Sequence, residues 1–403
     1  MRHTWVISVY LKKMEKIKQM EIVKKRIGIV GGGQLGKMMI LEAKRLGFYV
    51  AVLDPEASCP AHSICDHHII ADLDDPKGYK ELSEYADVIT YEWENINADA
   101  LEVLEKDGFT IYHPVAALRV IQNKYTQKAA LDNAGIPVPG FKQVFTIDDI
   151  KEAGKAENFG YPLMLKTTTG GYDGKGNFLI KKEEDIGNAF KRLGSGIKGL
   201  MVEEFIDFEK EISLLACRGI NGEKVIYPIA ENTHINSILD TTIVPADIDE
   251  TVINKAVDIG NKVMSVFEFV GTFCIEMFVT KQGGVYVNEI APRPHNSGHY
   301  TIEGCFSNQF ENHIRAIAGL PFGDVSLRSP AMMVNLLGES DGKAKLLGLK
   351  EAYKDPNVHV HIYGKNESKA GRKMGHYTVV GETVKDTVDR ALKLKNIIRV
   401  VGE

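Results

Sequence analysis

A mixed α/β and α+β architecture is predicted by three features of this 403-residue chain. The N-terminal quarter alternates short β-branched runs with amphipathic helical stretches, the pattern of a parallel sheet made from βαβ units. The middle sets a glycine-rich loop between two short strands and, further on, a β-hairpin that carries two glutamates. Beyond these, short strands without long helices read as a small C-terminal β-rich piece.

Composition bounds the problem. Hydrophobic residues at 44% and charged residues at 26% are ordinary for a globular protein, and the length suggests two or three domains. A net charge of −5 argues against broad nucleic-acid binding, though not against local basic pockets for phosphate. No apolar run approaches the roughly 20 residues of a membrane span. Cys59, Cys65, Cys217, Cys274 and Cys305 are odd in number and lack a C-x-x-C pair, as expected of reduced thiols in a cytoplasmic protein. Cys59, His62, Cys65, His67 and His68 can be drawn as a zinc site. Their spacing fits no usual finger, and adjacent His67 and His68 point to opposite faces of a strand. Residues 1–25 pair a short apolar piece with many lysines. That is too short and too charged for a signal h-region and reads as an extension.

The first strand, 26–30, runs into Gly31-Gly32-Gly33-Gln34-Leu35-Gly36 and an amphipathic helix over 34–46. A second strand, 49–53, ends at Asp54. Gly31, Gly33 and Gly36 stand in G-x-G-x-x-G register, the letter of a dinucleotide fingerprint. The competing reading is that the glycines only let helix pack on strand. Strands at 68–71 and 88–91, with helices at 76–85 and 98–106, complete a Rossmann-like domain. Glu92-Trp93-Glu94-Asn95 follows the last strand, where open parallel sheets place ligands; a plain polar loop is the alternative.

From Arg119 the texture changes. A helix from Asn123 and Lys124 to Ala134 stops at Gly135, with Pro137 and Pro139 beyond. The strand 161–166 ends on Lys166. It leads into Thr167-Thr168-Thr169-Gly170-Gly171-Tyr172-Asp173-Gly174-Lys175-Gly176-Asn177 and a strand over 178–180. Such a loop can fold over a triphosphate and offer backbone N–H groups. Walker A is absent, because no G-x-x-x-x-G-K-[ST] occurs and no helix follows. Lys166 in an apolar strand needs a partner for its charge, and phosphate is the attractive one. The strand through Glu203-Glu204-Phe205-Ile206 could read a base edge with its backbone, and Glu211 could hold ribose hydroxyls. Strands at 211–217 and 224–229 follow, with Glu231-Asn232-Thr233-His234 closing the latter. A helix spans 251–267.

Two apolar runs, 272–279 and 285–290, flank Lys281-Gln282-Gly283-Gly284. A hairpin centred between Gln282 and Gly283 sets Glu276 opposite Glu289. Directly opposed like charges destabilise a sheet, so a shared divalent cation is one explanation; a surface hairpin whose glutamates splay into water is the other. Mg²⁺ favours one or two carboxylates plus substrate phosphates. Ala291-Pro292-Arg293-Pro294-His295-Asn296-Ser297-Gly298-His299 then stops the strand and crowds polar donors beside the acids, with Arg293 offering a fork for an anion. After an amphipathic stretch at 308–318 come strands at 331–337, 359–363 and 376–380. Lys365, Arg372, Lys373 and His376 form a basic stretch there, either a solvated loop or a seat for a phosphate-bearing substrate. These textures divide the chain into 1–25, 26–118, 119–200, 201–320 and 321–403.

The glycine-rich loop Gly170 to Gly176, taken with Asn288-Glu289-Ile290-Ala291-Pro292-Arg293-Pro294-His295-Asn296-Ser297-Gly298-His299, resembles the N5-carboxyaminoimidazole ribonucleotide synthetases of the ATP-grasp superfamily. The resemblance runs from Arg26 to the C-terminus. It implies an ATP-grasp fold, with a small lobe over 119–200 and a large lobe over 201–320, and an N-terminal domain that does not bind NAD. The implied reaction joins ATP, bicarbonate and 5-aminoimidazole ribonucleotide through carboxyphosphate, in purine biosynthesis. Lys124, Lys166, Gly171, Tyr172, Asp173, Gly174, Lys175, Gly176, Asn177, Glu203, Glu204, Phe205, Ile206, Glu211, His234, Asn288 and Glu289 would hold ATP. Glu276 and Glu289 would hold Mg²⁺, with Mn²⁺ as substitute. Glu92, Trp93, Tyr172, Asp173, Lys175, Arg293, His295 and Asn296 would line the acceptor site, and Lys365 and Arg372 would meet the ribose phosphate. Lys175, Arg293, His295 and Asn296 would lie closest to the reacting groups. Asn177 and Lys124 depart from the commoner Gln and Arg and keep the chemistry. An acyl phosphate survives only without bulk water, so the 171–177 loop is expected to act as a lid. The rivals are a formate-dependent glycinamide ribonucleotide transformylase, expected to carry Asp-Thr-Gly where this chain has Asn296-Ser297-Gly298, and an NAD-dependent oxidoreductase built on Gly31 to Gly36. A homodimer is what the family suggests.

Overall fold

The structure, a computed structural model, describes residues 25–171, 176–194 and 199–403. Arg26–Val30, Tyr49–Leu53, His67–Ile69 and Val88–Tyr91 form a parallel sheet in which the first strand lies between the second and the last. One face is covered by the helix Gln34–Arg45, which buries Leu35, Met38, Met39 and Ala43. The other is covered by Pro76–Glu84 and Ala98–Lys106. Asp75 accepts from the Lys77 N–H and Asn97 from the Ala100 N–H to start those two helices, caps worth about 1 kcal/mol each. A helix from much later in the chain, Gln309–Ala318, adds Phe310, Ile314 and Ile317 to the first face. The N-terminal sheet is therefore built into the rest of the molecule.

A second, four-stranded antiparallel sheet runs in the order Phe141–Val144, Leu200–Glu204, Leu163–Thr167, Asn177–Ile180. Ile150 and Ala153 from one short helix and Ile186 and Ala189 from another close its core.

The third sheet has nine strands. From one edge it runs Val285–Ala291, Gly271–Thr280, Phe208–Arg218, Ala230–Ile235, Ile238–Val244, Ala331–Leu337, Lys373–Val380, Val358–Ile362, with Lys224–Ile226 also paired to Phe208–Arg218. The helix Glu250–Phe267 backs it, burying Val252, Ala256, Ile259, Val263 and Phe267, the three-to-four spacing of an amphipathic helix. Phe267→Ala would open a cavity there, at about 3–5 kcal/mol.

Two expectations change. Residues 238–244 form a strand that sequence pattern alone does not single out, because Asp240, Thr241 and Thr242 break its alternation. It follows a two-residue turn in which Asn236 and Ser237 both have positive φ, without the usual glycine. The C-terminal strands, in turn, extend the large sheet through Thr241 opposite Val334. The helix Val384–Leu394, capped by Thr383, covers them through Ala391 and Leu394.

The cysteine–histidine cluster is a hydrogen-bonded group. His62 Nδ1 meets His68 Nδ1 at 3.1 Å, Cys59 lies 3.9 Å from His68, and His67 stacks on Tyr85. Among the described residues, no three His, Cys, Asp or Glu side chains are grouped to hold a metal, and no helix is long and apolar enough to cross a membrane.

Candidate active site

The hairpin at the sheet edge carries the expected acid pair, by a different route. Near the turn, Val279 faces Val285 and Met277 faces Val287, a register one residue off that required to oppose the glutamates. A β-bulge at Asn288 then restores it, and Glu276 faces Glu289. The bulge has a chemical result. Strict alternation would send one of two neighbouring residues into the core, yet Asn288 and Glu289 both face the cavity while Val287 and Ile290 stay inside. Burial pushes the Glu276 carboxyl up to about 7; His234 opposes that shift, and Glu289 and Glu211 add to it. Glu289 is held low despite burial because Lys124 Nζ sits 2.6 Å from its carboxylate. Two oxygen-donor side chains facing each other, one resisting ionisation, suit a hard divalent cation that completes its shell with phosphate oxygens.

Lysines surround the pair. Lys166 Nζ lies 2.7 Å from Glu203 and 3.3 Å from Asn288 Oδ1. Its charge is therefore already paired within the chain, rather than waiting for phosphate as its sequence context suggests. Lys128, which sequence reasoning passes over, is 3.5 Å from the other Glu203 oxygen. Burial opposes ionisation of Glu203, but Lys128 and Lys166 outweigh it and hold the carboxyl at about 2. Burial in turn brings Lys128 down to about 8. A lysine four residues after Lys124 on the inner side of an amphipathic helix was the available clue.

Lys124, Lys166, Glu203, Glu276, Asn288 and Glu289 all line one cavity of about 1170 Å³. Glu204, Phe205 and Ile206 line one end with Met164, Phe208 and Phe278, the last two stacked at 4.7 Å between ring centroids. That apolar slot suits a purine. Glu211 and His234 lie on the same wall and are hydrogen-bonded to each other, which raises the His234 pKa against the lowering effect of burial. Gly171 and Asn177 also line the cavity. Gly176 turns the chain at φ +97° and accepts from the Thr167 N–H without reaching the wall. Tyr172, Asp173, Gly174 and Lys175 lie outside the described residues.

Arg293, His295 and Asn296 also line the cavity, His295 beside Glu276. Arg293 is not a free fork. Its Nε binds Glu94, NH1 donates to the Pro294 carbonyl at 3.2 Å, and the guanidinium sits over Trp93 at 6.0 Å. Glu94 lies in the Glu92–Asn95 loop, and nothing in its sequence context marks it as the partner of Arg293. The Ser297 N–H donates to His295 Nδ1, so Nε2 faces Glu276 Oε1 at 3.7 Å. Burial, then Arg293, keeps His295 neutral by lowering its pKa well below the usual value. Both side-chain amide atoms of Asn296 are buried without a hydrogen-bond partner among the described residues. Lys365 and Arg372 close the cavity with Lys369, Gly371 and Lys373; burial and Arg372 lower Lys365 to about 8.

The glycine turn of the N-terminal sheet is filled by the chain itself. Glu92 accepts from the Gly33 N–H and, at 2.7 Å, from the Gly36 N–H, while Asp54 accepts from the Gly32 N–H at 2.7 Å. The helix N-terminus that would seat a pyrophosphate thus holds a carboxylate. A Cβ on Gly31 or Gly33 would meet that side chain at 2.5 or 2.4 Å. Glu92 still forms part of the cavity wall, as does Trp93.

Three domain families match in chain order: a ribonucleotide synthetase preATP-grasp domain over 24–122, an ATP-grasp domain over 129–310, and a phosphoribosylaminoimidazole carboxylase C-terminal domain over 331–390. The N5-carboxyaminoimidazole ribonucleotide synthase of Bacillus subtilis is 43% identical over 87% of this chain and 90% of the relative. That of Staphylococcus aureus is 44% identical over 90% and 94%. The crystal structure of the synthetase from Thermotoga maritima superposes with a TM-score of 0.85 at 45% identity, covering 94% of this chain and 100% of that one. The Aspergillus clavatus synthase, solved with ADP and 5-aminoimidazole ribonucleotide, gives 0.86 at 33% identity over 93% and 98%. The chain therefore belongs to the N5-carboxyaminoimidazole ribonucleotide synthase family of ATP-grasp enzymes.

Proposed function

We propose that this protein is an ATP-dependent carbon–nitrogen ligase that carboxylates 5-aminoimidazole ribonucleotide with bicarbonate, giving N5-carboxyaminoimidazole ribonucleotide, ADP and phosphate. The observation that carries the reading is one cavity joining an apolar base slot, an opposed acid pair ringed by lysines, and a basic loop at the far end. Purine synthesis in the cytoplasm, by a homodimer, is the setting the family implies.

In this reading the purine lies against Phe205, Ile206 and Phe278. Lys124 and Lys166 turn from their glutamates toward the triphosphate, and Asn288 follows. Mg²⁺, held by Glu276 and Glu289, would supply charge neutralisation on the transferring phosphoryl group. A bicarbonate oxygen attacks the γ-phosphorus and ADP departs, leaving carboxyphosphate. Arg293, fixed on Glu94, and neutral His295 hold the carboxyl end near the acceptor. Carboxyphosphate then splits into CO₂ and phosphate. The exocyclic amine attacks the CO₂ carbon, a C–N bond forms, and the amine proton passes to the released phosphate. Lys365 and Arg372 anchor the ribose phosphate throughout, while Asn296 offers its unpaired carboxamide to the acceptor. Tyr172, Asp173 and Lys175 would complete that site from the lid. The test is phosphate release from ATP with bicarbonate, with and without 5-aminoimidazole ribonucleotide, set against formate plus glycinamide ribonucleotide. Stimulation by the first pair supports the reading; stimulation by the second alone overturns it.

A further inference from the structure

The large sheet ends at Val285–Ala291, whose outer edge has no neighbouring strand among the described residues. Such an edge presents backbone N–H and C=O groups that need partners. Here the Pro137 carbonyl takes the Val287 N–H at 2.8 Å, and three further contacts come from two consecutive side chains of the helix Lys124–Asn133. The Gln127 carboxamide accepts from the Ile290 N–H at 3.0 Å and donates to the Ile290 carbonyl at 3.4 Å. Lys128 Nζ donates to the Val287 carbonyl at 2.9 Å. These contacts bracket Asn288 and Glu289, the two residues that the bulge turns toward the cavity.

Lys128 is 1% exposed and absent from the cavity wall, so it is out of reach of substrate. Burying an ammonium is costly, and leucine or methionine would pack the same helix on the same sheet without that cost. Its two contacts explain its presence. One fixes the carbonyl just before the bulge. The other, to Glu203, reaches the strand Leu200–Glu204 that leads into the base slot. We infer that Lys128, seconded by Gln127, is a positioning residue that braces the bulge and so aims Glu289 and Asn288 at the cation and the phosphates.

Without the brace, the Val287 carbonyl loses its partner where the ladder is already interrupted. Glu289 then samples several directions, and a one-residue slip would carry it to the core face. The base slot keeps its own wall. Metal-linked binding should therefore suffer while metal-free binding should not. This inference rests on the proposed nucleotide–cation site, and the experiment separates the two.

ADP affinity is measured calorimetrically with and without Mn²⁺ for the wild type, Lys128→Met and Gln127→Met, with folding checked by circular dichroism and thermal melting. In the wild type Mn²⁺ tightens ADP binding; a wild type with no such linkage would instead sink the nucleotide–cation reading itself. Lys128→Met should lose roughly 10- to 100-fold of the metal-linked tightening, the scale seen for groups that orient a metal ligand. Its metal-free ADP affinity should stay at the wild-type value. Gln127→Met should move the same way by less, and decides alone if Lys128→Met does not fold. Wild-type linkage in the folded variants overturns the inference, as does an equal loss of metal-free and metal-linked affinity.

Discussion

Two half-buried carboxylates on the wall of one cavity show how differently a fold can treat the same group. Glu92 sits at a helix N-terminus and accepts two backbone N–H groups, so its charge is met inside the chain. Glu276 faces a second carboxylate across a hairpin and accepts no hydrogen bond among the described residues, with His295 3.7 Å away. The first pattern closes a fingerprint that reads, letter for letter, as a dinucleotide site. The second leaves an electrostatic demand that a ligand must meet. Unmet demand, more than motif spelling, separates a working site from a structural one.

The comparison is attacked most directly at its open end. Glu289→Gln removes one of two charges available to a divalent cation and is expected to cut ATP-dependent phosphate release by about a hundredfold or more; activity within a few-fold of wild type would rule out the acid pair as the cation seat. Arg293→Ala should lower kcat/KM for the aminoimidazole ribonucleotide by about a hundredfold, since in the proposed mechanism it orients the acceptor, and Glu94 fixes its own aim. ATP affinity should be spared, and equal damage to both substrates would contradict the assignment.

A smaller effect is expected at the far end of the cavity. Lys365 is brought down to about 8 by burial and Arg372, so it is charged below that pH and loses its proton as pH rises through it. The pH profile of kcat/KM reports the free enzyme and should fall on that alkaline limb. Lys365→Met should flatten the limb and raise KM for the ribonucleotide about tenfold, the loss of roughly one charge-assisted contact. At the closed acid, Glu92→Ala strands two glycine N–H groups, at about 1–3 kcal/mol of stability, read as a lowered melting temperature. NADH fluorescence should show no binding before or after the change; saturable binding would return the oxidoreductase to consideration.

Much of this was legible in the residues, for identifiable reasons. Parallel strands announced themselves through β-branched runs, and the helices between them through amphipathic spacing. The acid pair followed from turn position and strand period. The bulge did not, although the spacing of Val285, Val287 and Ile290, first two and then three, records it. Residues 238–244 escaped because threonines replaced the apolar alternation and a glycine-free turn hid the hairpin. Lys128 and Glu94 escaped for a deeper reason: each acts on a residue far away in the chain, Glu203 or Arg293, and sequence carries no distance. The spent charge of Lys166 was invisible on the same ground, since Glu203 comes beside it only when two strands pair.

The large sheet carries a consequence of its own. From the strand bearing Glu289 to the strand beginning at Lys373, each strand is hydrogen-bonded to the next, with bulges that shift register locally. In the proposed reaction the donor and acceptor ends thus share one hydrogen-bonded sheet, with no break in strand pairing between them among the described residues. Whatever opens to admit ATP must pivot above that platform, and the gap the carboxyl group has to cross is set once, when the chain folds.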